Sequence, residues 1–398
     1  SHELVHGSSS FGDGPSGPAI DRVSGPISAE EFSATYESGA GRPVVLEPAS
    51  GASSSSSSYR IWDEEELRRR LGRRVFHAGG INMRLADYLE YARTNRDEQP
   101  LYCFDPTFAA TAPELSEAYD VPEPFRDDLF SLLEQDGDAA DDNKKRGTRP
   151  DYRWLLIGGP RSGQSWHKDP NGTSAWNLTL RGRKRWLMFP PHATPPGVIP
   201  SKEGSSHDYM TPISLAEWAR GYYREALRAP GFLEAETKEG EVMYVPRGWW
   251  HMVLNVGEEA TVAVSHHFLS PAGLYNTLRL LRDAPHQVSG IDRGLAPRTA
   301  TGGTADPART AEEDHRRRTA AGRILLGRLE RGLRERRPEA LARAEEELRR
   351  EREALERKRE RCIAKEELFR SRKKAFGAAT ASSGGVAAVP APFSFNFA

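Results

Sequence analysis

Hydrophobic and polar positions repeat along this chain with two periods, and the change of period divides it. Between residues 151 and 270 short apolar runs end at Gly or Pro. Trp154-Leu155-Leu156-Ile157 stops at Gly158-Gly159-Pro160. Trp176-Asn177-Leu178-Thr179-Leu180, a turn at Gly182 and Lys184-Arg185-Trp186-Leu187-Met188-Phe189 read as a hairpin. The run 240–246 reads as a strand, and Thr261-Val262-Ala263-Val264-Ser265 alternates with period two. Residues 214–228 read as a helix inserted between strands. Short strands with Gly/Pro turns and flanking helices predict a β-barrel or jelly roll.

Upstream, Ser28 stands as an N-cap before Ala29-Glu30-Glu31-Phe32, and residues 43–46 read as a short strand. A helix is expected from Trp62 to Arg70. Another, over 82–94, places Leu85, Tyr88 and Leu89 on one face. Leu101-Tyr102-Cys103-Phe104 reads as a buried strand ending at Asp105-Pro106. After Pro271 the chain turns helical. Residues 308–375 are almost continuously charged, with Leu325, Leu329, Leu333, Leu341 and Leu348 as a thin apolar stripe that Pro338 interrupts. Residues 1–19 read as a disordered lead-in, 53–58 and 134–142 as loops, and 377–398 as a flexible tail.

A chain of 398 residues, 37% hydrophobic, has room for one large domain plus appendages. A net charge of -1 gives no global preference for nucleic acid or an anionic membrane. The charge is uneven: residues 311–375 hold 22 Lys/Arg and 15 Asp/Glu, an excess of 7 positive charges. Cys103 and Cys362 lie far apart and make no disulfide framework, which suits a reducing compartment. No apolar run approaches the roughly 20 residues of a membrane span. The start, Ser1-His2-Glu3, lacks Met and reads as a fragment or a processed product, with no secretory apolar segment near it.

The chemistry concentrates in His167-Lys168-Asp169 and a later His251. Two imidazoles and one carboxylate can bind one face of a ferrous ion and leave the opposite face open, as non-haem iron oxygenases require. Spacing alone leaves a second reading open, a surface turn and an unrelated downstream His. His192, His207, His266 and His267 do not make a zinc site by spacing, because no Cys pairs with them.

The words around these residues decide between the two. Tyr152-Arg153-Trp154, Gly159-Pro160-Arg161-Ser162-Gly163, Asp169-Pro170, Gly172-Thr173-Ser174-Ala175-Trp176-Asn177, Lys184-Arg185-Trp186 and Gly248-Trp249-Trp250-His251 stand in order. With them the chain resembles the Jumonji C oxygenases over roughly residues 20–280. It looks most like their arginine demethylase and lysyl-hydroxylase subgroup. The resemblance implies a mainly β fold with flanking helices: a double-stranded β-helix (jelly roll, cupin-like), followed by a charged helical region over 281–376. It implies Fe(II), 2-oxoglutarate and O2, with His167, Asp169 and His251 as iron ligands. Lys184 would pair with the far carboxylate of 2-oxoglutarate, since a point charge on a long stem suits one anionic group at the end of a pocket. Strand alternation would put Lys184 on one face and Arg183 and Arg185 on the other. Tyr102, Asn177 and Ser265 match positions that hydrogen-bond the cosubstrate. Ser265 stands where the subgroup has Thr, across a two-residue insertion near Gly257-Glu258. Gln164 departs from a small hydroxyl residue. Trp166, Trp249 and Trp250 are expected to wall the site.

The resemblance implies a protein substrate, a histone or an RNA-processing protein, modified at lysine or methyl-arginine. Two other readings remain: a catalytically silent barrel that binds protein or RNA, and a hydroxylase of RNA or a small molecule. The charged helix reads as a solvated arm laced with i,i+4 pairs, or as a dimerisation or nucleic-acid-contacting arm. The nucleus is the expected location, with basic clusters at 316–318 and 372–374, and the cytoplasm the alternative. No membrane association is expected.

Overall fold

Strand alternation in residues 151–270 builds two facing sheets rather than a ladder of hairpins. The computed structural model of the protein describes residues 15–48, 59–134, 149–200, 209–212, 214–291 and 307–382. The tract 53–58, nearly all of 134–142, His207, and most of 1–19 and 377–398 lie outside the described residues. Two units are present, Ser1–Ala344 and Glu345–Ala398.

Among the described residues the strands run β1 Asp21–Ser24, β2 Val44–Glu47, β3 Val75–Ala78, β4 Ile81–Arg84 and β5 Cys103–Asp105. They continue as β6 Arg153–Gly158, β7 Gly163–His167, β8 Ser174–Arg181, β9 Arg183–Phe189, β10 Ile199–Pro200 and β11 Tyr209–Met210. The last four are β12 Leu233–Thr237, β13 Val242–Val245, β14 Trp250–Val256 and β15 Thr261–Phe268. The order β13-β8-β15-β6 forms the centre of one sheet and β12-β9-β14-β7 the whole of the other. Every pair within these two groups is antiparallel. The chain crosses between them at almost every turn, which is the double-stranded β-helix. Strands β2 and β1 extend the larger sheet at one edge, and β5, β3 and β4 at the other.

The predicted hairpin at Gly182 is not one. Strands β8 and β9 lie in different sheets, and each pairs with other strands. Gly182, at φ +74°, turns a corner between the sheets. A hairpin turn and a corner both ask for a residue that tolerates positive φ, so the local signal is the same.

Burial explains why the strands read as long apolar runs. The outer face of the larger sheet (Leu155, Ile157, Trp176, Leu178, Val262 and Val264) packs under Phe32, Trp62, Leu67, Leu85 and Leu89 of the N-terminal helices. The outer face of the smaller sheet (Trp166, Leu187, Phe189, Met252) packs under Trp218 and Tyr223 of the Leu215–Ala226 helix. Between the sheets, Trp186, Met188, Met243, Val245 and Val253 fill one end of the sandwich. The N-caps follow the sequence: Ser28 and Ser214 each accept from a backbone N–H three residues on. Residues 82–84, expected as the start of a helix, belong to strand β4. The helix is Leu85–Thr94 and starts after the extended Arg84.

The charged region holds two helices, Pro307–Arg336 and Pro338–Ser382, with Pro338 as the first residue of the second. The solvated-arm expectation does not hold for the first. Leu325, Leu329 and Leu333 are fully buried. This helix packs on Leu129–Leu133, on the Leu274–Asp283 helix and on Pro285–Gln287. At Gly322 a Cβ would stand 2.2 Å from the Pro285 carbonyl oxygen, so the close approach requires glycine. Arg282 bonds Glu330 at 2.7 Å across the contact.

Replacing Leu329 by Ala, which opens a cavity under the helix, is expected to lower stability by about 2–5 kcal/mol. Leu355 is 58% exposed, and its replacement by Ala is expected to change stability by no more than about 0.5 kcal/mol. Denaturant unfolding followed by circular dichroism compares them. Equal effects would show that the first helix does not pack on the body.

Candidate metal and cosubstrate site

Strand register brings the first two site residues together. His251 on β14 is paired directly with His167 on β7, and their ring centroids are 3.9 Å apart. The ladder shifts immediately afterwards, between His251 and Val253. Asp169 follows the end of β7. Behind it the turn Pro170–Gly172 places Asn171 at φ +62°. The Asn171 amide exchanges hydrogen bonds with Ser289, donating to its carbonyl and accepting from its N–H, both at 3.0 Å. Thr277 donates to the Asn171 carbonyl at 2.9 Å. The turn that carries the carboxylate is therefore anchored from outside.

The three side chains offer ligand atoms that all lie within 4.8 Å of one another. Nδ1–H of His167 donates to the Ser165 carbonyl at 2.7 Å, and Nδ1–H of His251 to the Trp249 carbonyl at 3.2 Å. These bonds select one tautomer and leave each Nε2 with a lone pair facing the group. Burial pushes the His167 imidazole down to about 3, with His251 adding to it, and burial lowers His251 as well. Both rings are therefore neutral at neutral pH, the form that binds a metal. Burial opposes ionisation of Asp169, yet the adjacent His267, His251 and His167 hold it below the usual carboxylate range. Its Oδ2 is buried without a hydrogen-bond partner. Two neutral imidazoles, one carboxylate and an orphaned oxygen fit a divalent cation such as Fe(II).

All seven residues singled out in the sequence line one cavity of about 1090 Å³: Tyr102, His167, Asp169, Asn177, Lys184, His251 and Ser265. Lys184, on β9, is 1% exposed. Its Nζ lies 3.3 Å from Asn177 Oδ1 and 5.5 Å from the Trp186 ring centroid. No carboxylate among the described residues pairs with it, and burial lowers its pKa to about 7. Asn177 and Ser265 are register partners on β8 and β15. Ser265 donates to the Trp176 carbonyl at 3.3 Å. Burial raises the Tyr102 phenol, so it stays a hydroxyl donor. An unpaired buried ammonium ringed by hydroxyl and amide groups fits a carboxylate guest. Arg185 does point the other way, but into the interior, where Glu234 at 2.6 Å and Tyr223 at 2.9 Å hold it.

Two expectations change. Trp154 and Trp186 wall the cavity; Trp166, Trp249 and Trp250 do not line it and pack in the cores behind. His267, set aside in the sequence, belongs to the site, with Nε2 3.1 Å from Asp169 Oδ1. It shares a strand face with Ser265, so period-two alternation could have found it. His266 points the other way and bonds Tyr119 at 2.7 Å. The rim is completed by Val288, Ser289 and Gly290 and by His315 and Arg318 of the Pro307–Arg336 helix. Gln164 also lines the cavity. Among the described residues no second group of metal-ligating side chains occurs.

Lys184 gives a test by linkage. Its pKa is about 7 folded against 10.5 for the free side chain. Between these values the unfolded chain holds the extra proton, so stability rises with pH across that window, and below it the burial penalty is complete. Lys184→Met should therefore melt several degrees above the wild type near neutral pH without ligand. The difference should narrow as pH rises through the window. Calorimetry checks this, and a variant that melts lower would show that Lys184 already has a partner.

Residues 30–272 match the family described as cupin-like domain. The chain is 40% identical over 276 residues to an arginine-specific demethylase, JMJ22, of Arabidopsis thaliana, covering 68% of this chain and 50% of that protein. It is 36% identical over 289 residues to psr-1 of Caenorhabditis elegans, a bifunctional arginine demethylase and lysyl-hydroxylase, covering 69% of this chain and 67% of psr-1. The 2-oxoglutarate and iron-dependent oxygenase JMJD4 of Danio rerio is 28% identical over 146 residues, 36% of this chain and 32% of that protein. The chain thus spans about half the length of the Arabidopsis relative. The match spans all eight strands of the β-helix, and the chain belongs to the cupin-like family, among its Jumonji C members.

Proposed function

We propose that this chain is an Fe(II)- and 2-oxoglutarate-dependent dioxygenase acting on a side chain of a protein. One observation carries the reading: a His-Asp-His group and a buried lysine that has no counter-ion among the described residues share one cavity. His167, Asp169 and His251 would hold one face of the ion. Lys184 would bind the far carboxylate of 2-oxoglutarate, with Tyr102, Asn177 and Ser265 as hydrogen-bonding neighbours. Bound iron and 2-oxoglutarate supply oxidation by O2: one oxygen atom enters succinate as CO2 leaves, and the other enters a substrate C–H bond.

The chain's own residues do the rest. Trp154 and Trp186 exclude water from the cavity wall. The Asn171–Ser289 pair fixes the turn that presents Asp169. The rim formed by residues 288–290 with His315 and Arg318 is where a substrate segment would lie. Hydroxylation of a lysine carbon leaves a stable alcohol. Hydroxylation of an N-methyl group leaves a hemiaminal that loses formaldehyde, which is demethylation. The names of the Arabidopsis and Caenorhabditis relatives support arginine and lysine side chains as the substrate class.

Anaerobic addition of Fe(II) and 2-oxoglutarate should give a visible metal-to-ligand charge-transfer band. His167→Ala should abolish it, and Lys184→Met should weaken cosubstrate binding by about 10-fold or more, as loss of a charge-assisted bond implies. In air, a peptide library read by mass spectrometry should show gain of one oxygen or loss of a methyl group. A wild type without the band would favour a silent scaffold. A band without peptide turnover would move the substrate to RNA or a small molecule.

A further inference from the structure

Strand β15 sends successive side chains to opposite faces. His266 faces outward among Tyr119, Tyr152 and Trp176. His267 faces inward, into the cavity. Its position is determined on several sides. Its backbone N–H donates to the Tyr152 carbonyl at 2.7 Å, and its residue pairs with Ala175 on β8. The Trp154 ring packs on the imidazole, 4.3 Å between centroids. One ring nitrogen, Nε2, meets Asp169 Oδ1 at 3.1 Å. The other, Nδ1, is buried with no partner.

That asymmetry is informative. A buried polar atom left unbonded costs about 1–3 kcal/mol, and a histidine kept only for packing would give both nitrogens partners or be replaced by an apolar ring. The ring is held for its Nε2 edge. Its ligand atom does not belong to the group formed by His167, Asp169 and His251. We infer that His267 is a positioning residue for the metal centre, donating from Nε2–H to Asp169 Oδ1 and so fixing how the carboxylate meets the ion. The inference rests on the metal reading proposed above.

The physical consequence concerns the number of open positions. A carboxylate free to rotate can chelate through both oxygens and take a fourth position on the ion. A bidentate oxo acid and O2 need three. An N–H bond on Oδ1 occupies one of the two oxygens and keeps the carboxylate monodentate. It also delocalises part of the carboxylate charge into the imidazole. Partners of this kind around metal ligands are typically worth about 10–100-fold in metal affinity.

The test titrates Co(II) into metal-free protein, following the visible Co(II) absorption, with unfolding of the metal-free protein as the second readout. His267→Phe keeps a ring against Trp154 and removes the donor. It should bind Co(II) about 10–100-fold more weakly, and its unfolding midpoint without metal should fall, because the buried Asp169 carboxylate loses its donor. His267→Gln, whose amide N–H can reach where Nε2–H stands, should recover most of the affinity. Co(II) binding in His267→Phe equal to the wild type overturns the inference. Loss in both variants also overturns it, since the donor would not be what matters. A metal-free midpoint that falls as far in His267→Gln as in His267→Phe, with weak binding in both, assigns the residue to packing instead. Wild type that binds no Co(II), or His167→Ala that binds it equally well, overturns the metal reading itself and is thereby distinguished from failure of the His267 role.

Discussion

The direct pairing of β7 with β14 is the constraint on which the site depends. It sets His167 opposite His251. Side chains on a strand alternate, so slipping that register by one residue would carry one imidazole to the outer face, against the Trp218 side of the sandwich. The register is protected on both flanks. Trp166 and Trp250 neighbour the two histidines in sequence and anchor the strands in the outer core. The shift in the ladder just after His251 lets the rest of β14 pair with β7 without moving the histidine.

The interior between the sheets is divided. One end is filled by Met188, Met243, Val245 and neighbours, and the other is left as a polar chamber. The chamber is thermodynamically unfavourable by itself. It holds a lysine without an anion, a carboxylate with an unbonded oxygen and a histidine with an unbonded nitrogen. Apolar packing on the two outer faces of the sheets offsets these penalties. Each unsatisfied group is also one that a bound cation or dicarboxylate would satisfy. Ligands that bind only the folded state would add their binding energy to its stability.

The sandwich and the site differ in how far they could be read from the sequence. Asp169, Asn177, Lys184 and His251 are legible because each stands in a word that carries the resemblance, His167 because it lies two residues before Asp169, and Ser265 only across a two-residue insertion; all of them line one cavity. The sheet assignment at Gly182 is not legible, because a corner and a hairpin use the same backbone conformation and only long-range pairing tells them apart. A helix over 82–94 follows from the face of Leu85, Tyr88 and Leu89 extended backwards; the pairing of residues 81–84 with β3 overrides that local period at its start. The Pro307–Arg336 helix was misjudged for the opposite reason. Three leucines at i, i+4, i+8 make a narrow stripe, and arginines surround it, yet a narrow stripe suffices where a glycine allows contact as close as Gly322 makes with Pro285. Metal-ligand spacing finds no place for His267, because its contact is with Asp169 and it joins no metal-binding group by itself.

That same glycine contact has a bearing on where the reaction chamber ends. His315 and Arg318 stand on the turns of the helix just before Gly322, and both reach the cavity rim. A fragment cut after the last strand would keep every side chain proposed to touch iron or the oxo acid, but it would lose Ser289 and Thr277, which hold the Asp169 turn, together with His315 and Arg318 of the cavity lining. Truncation there would loosen the seat of the cation as well as the grip on the polypeptide to be oxidised.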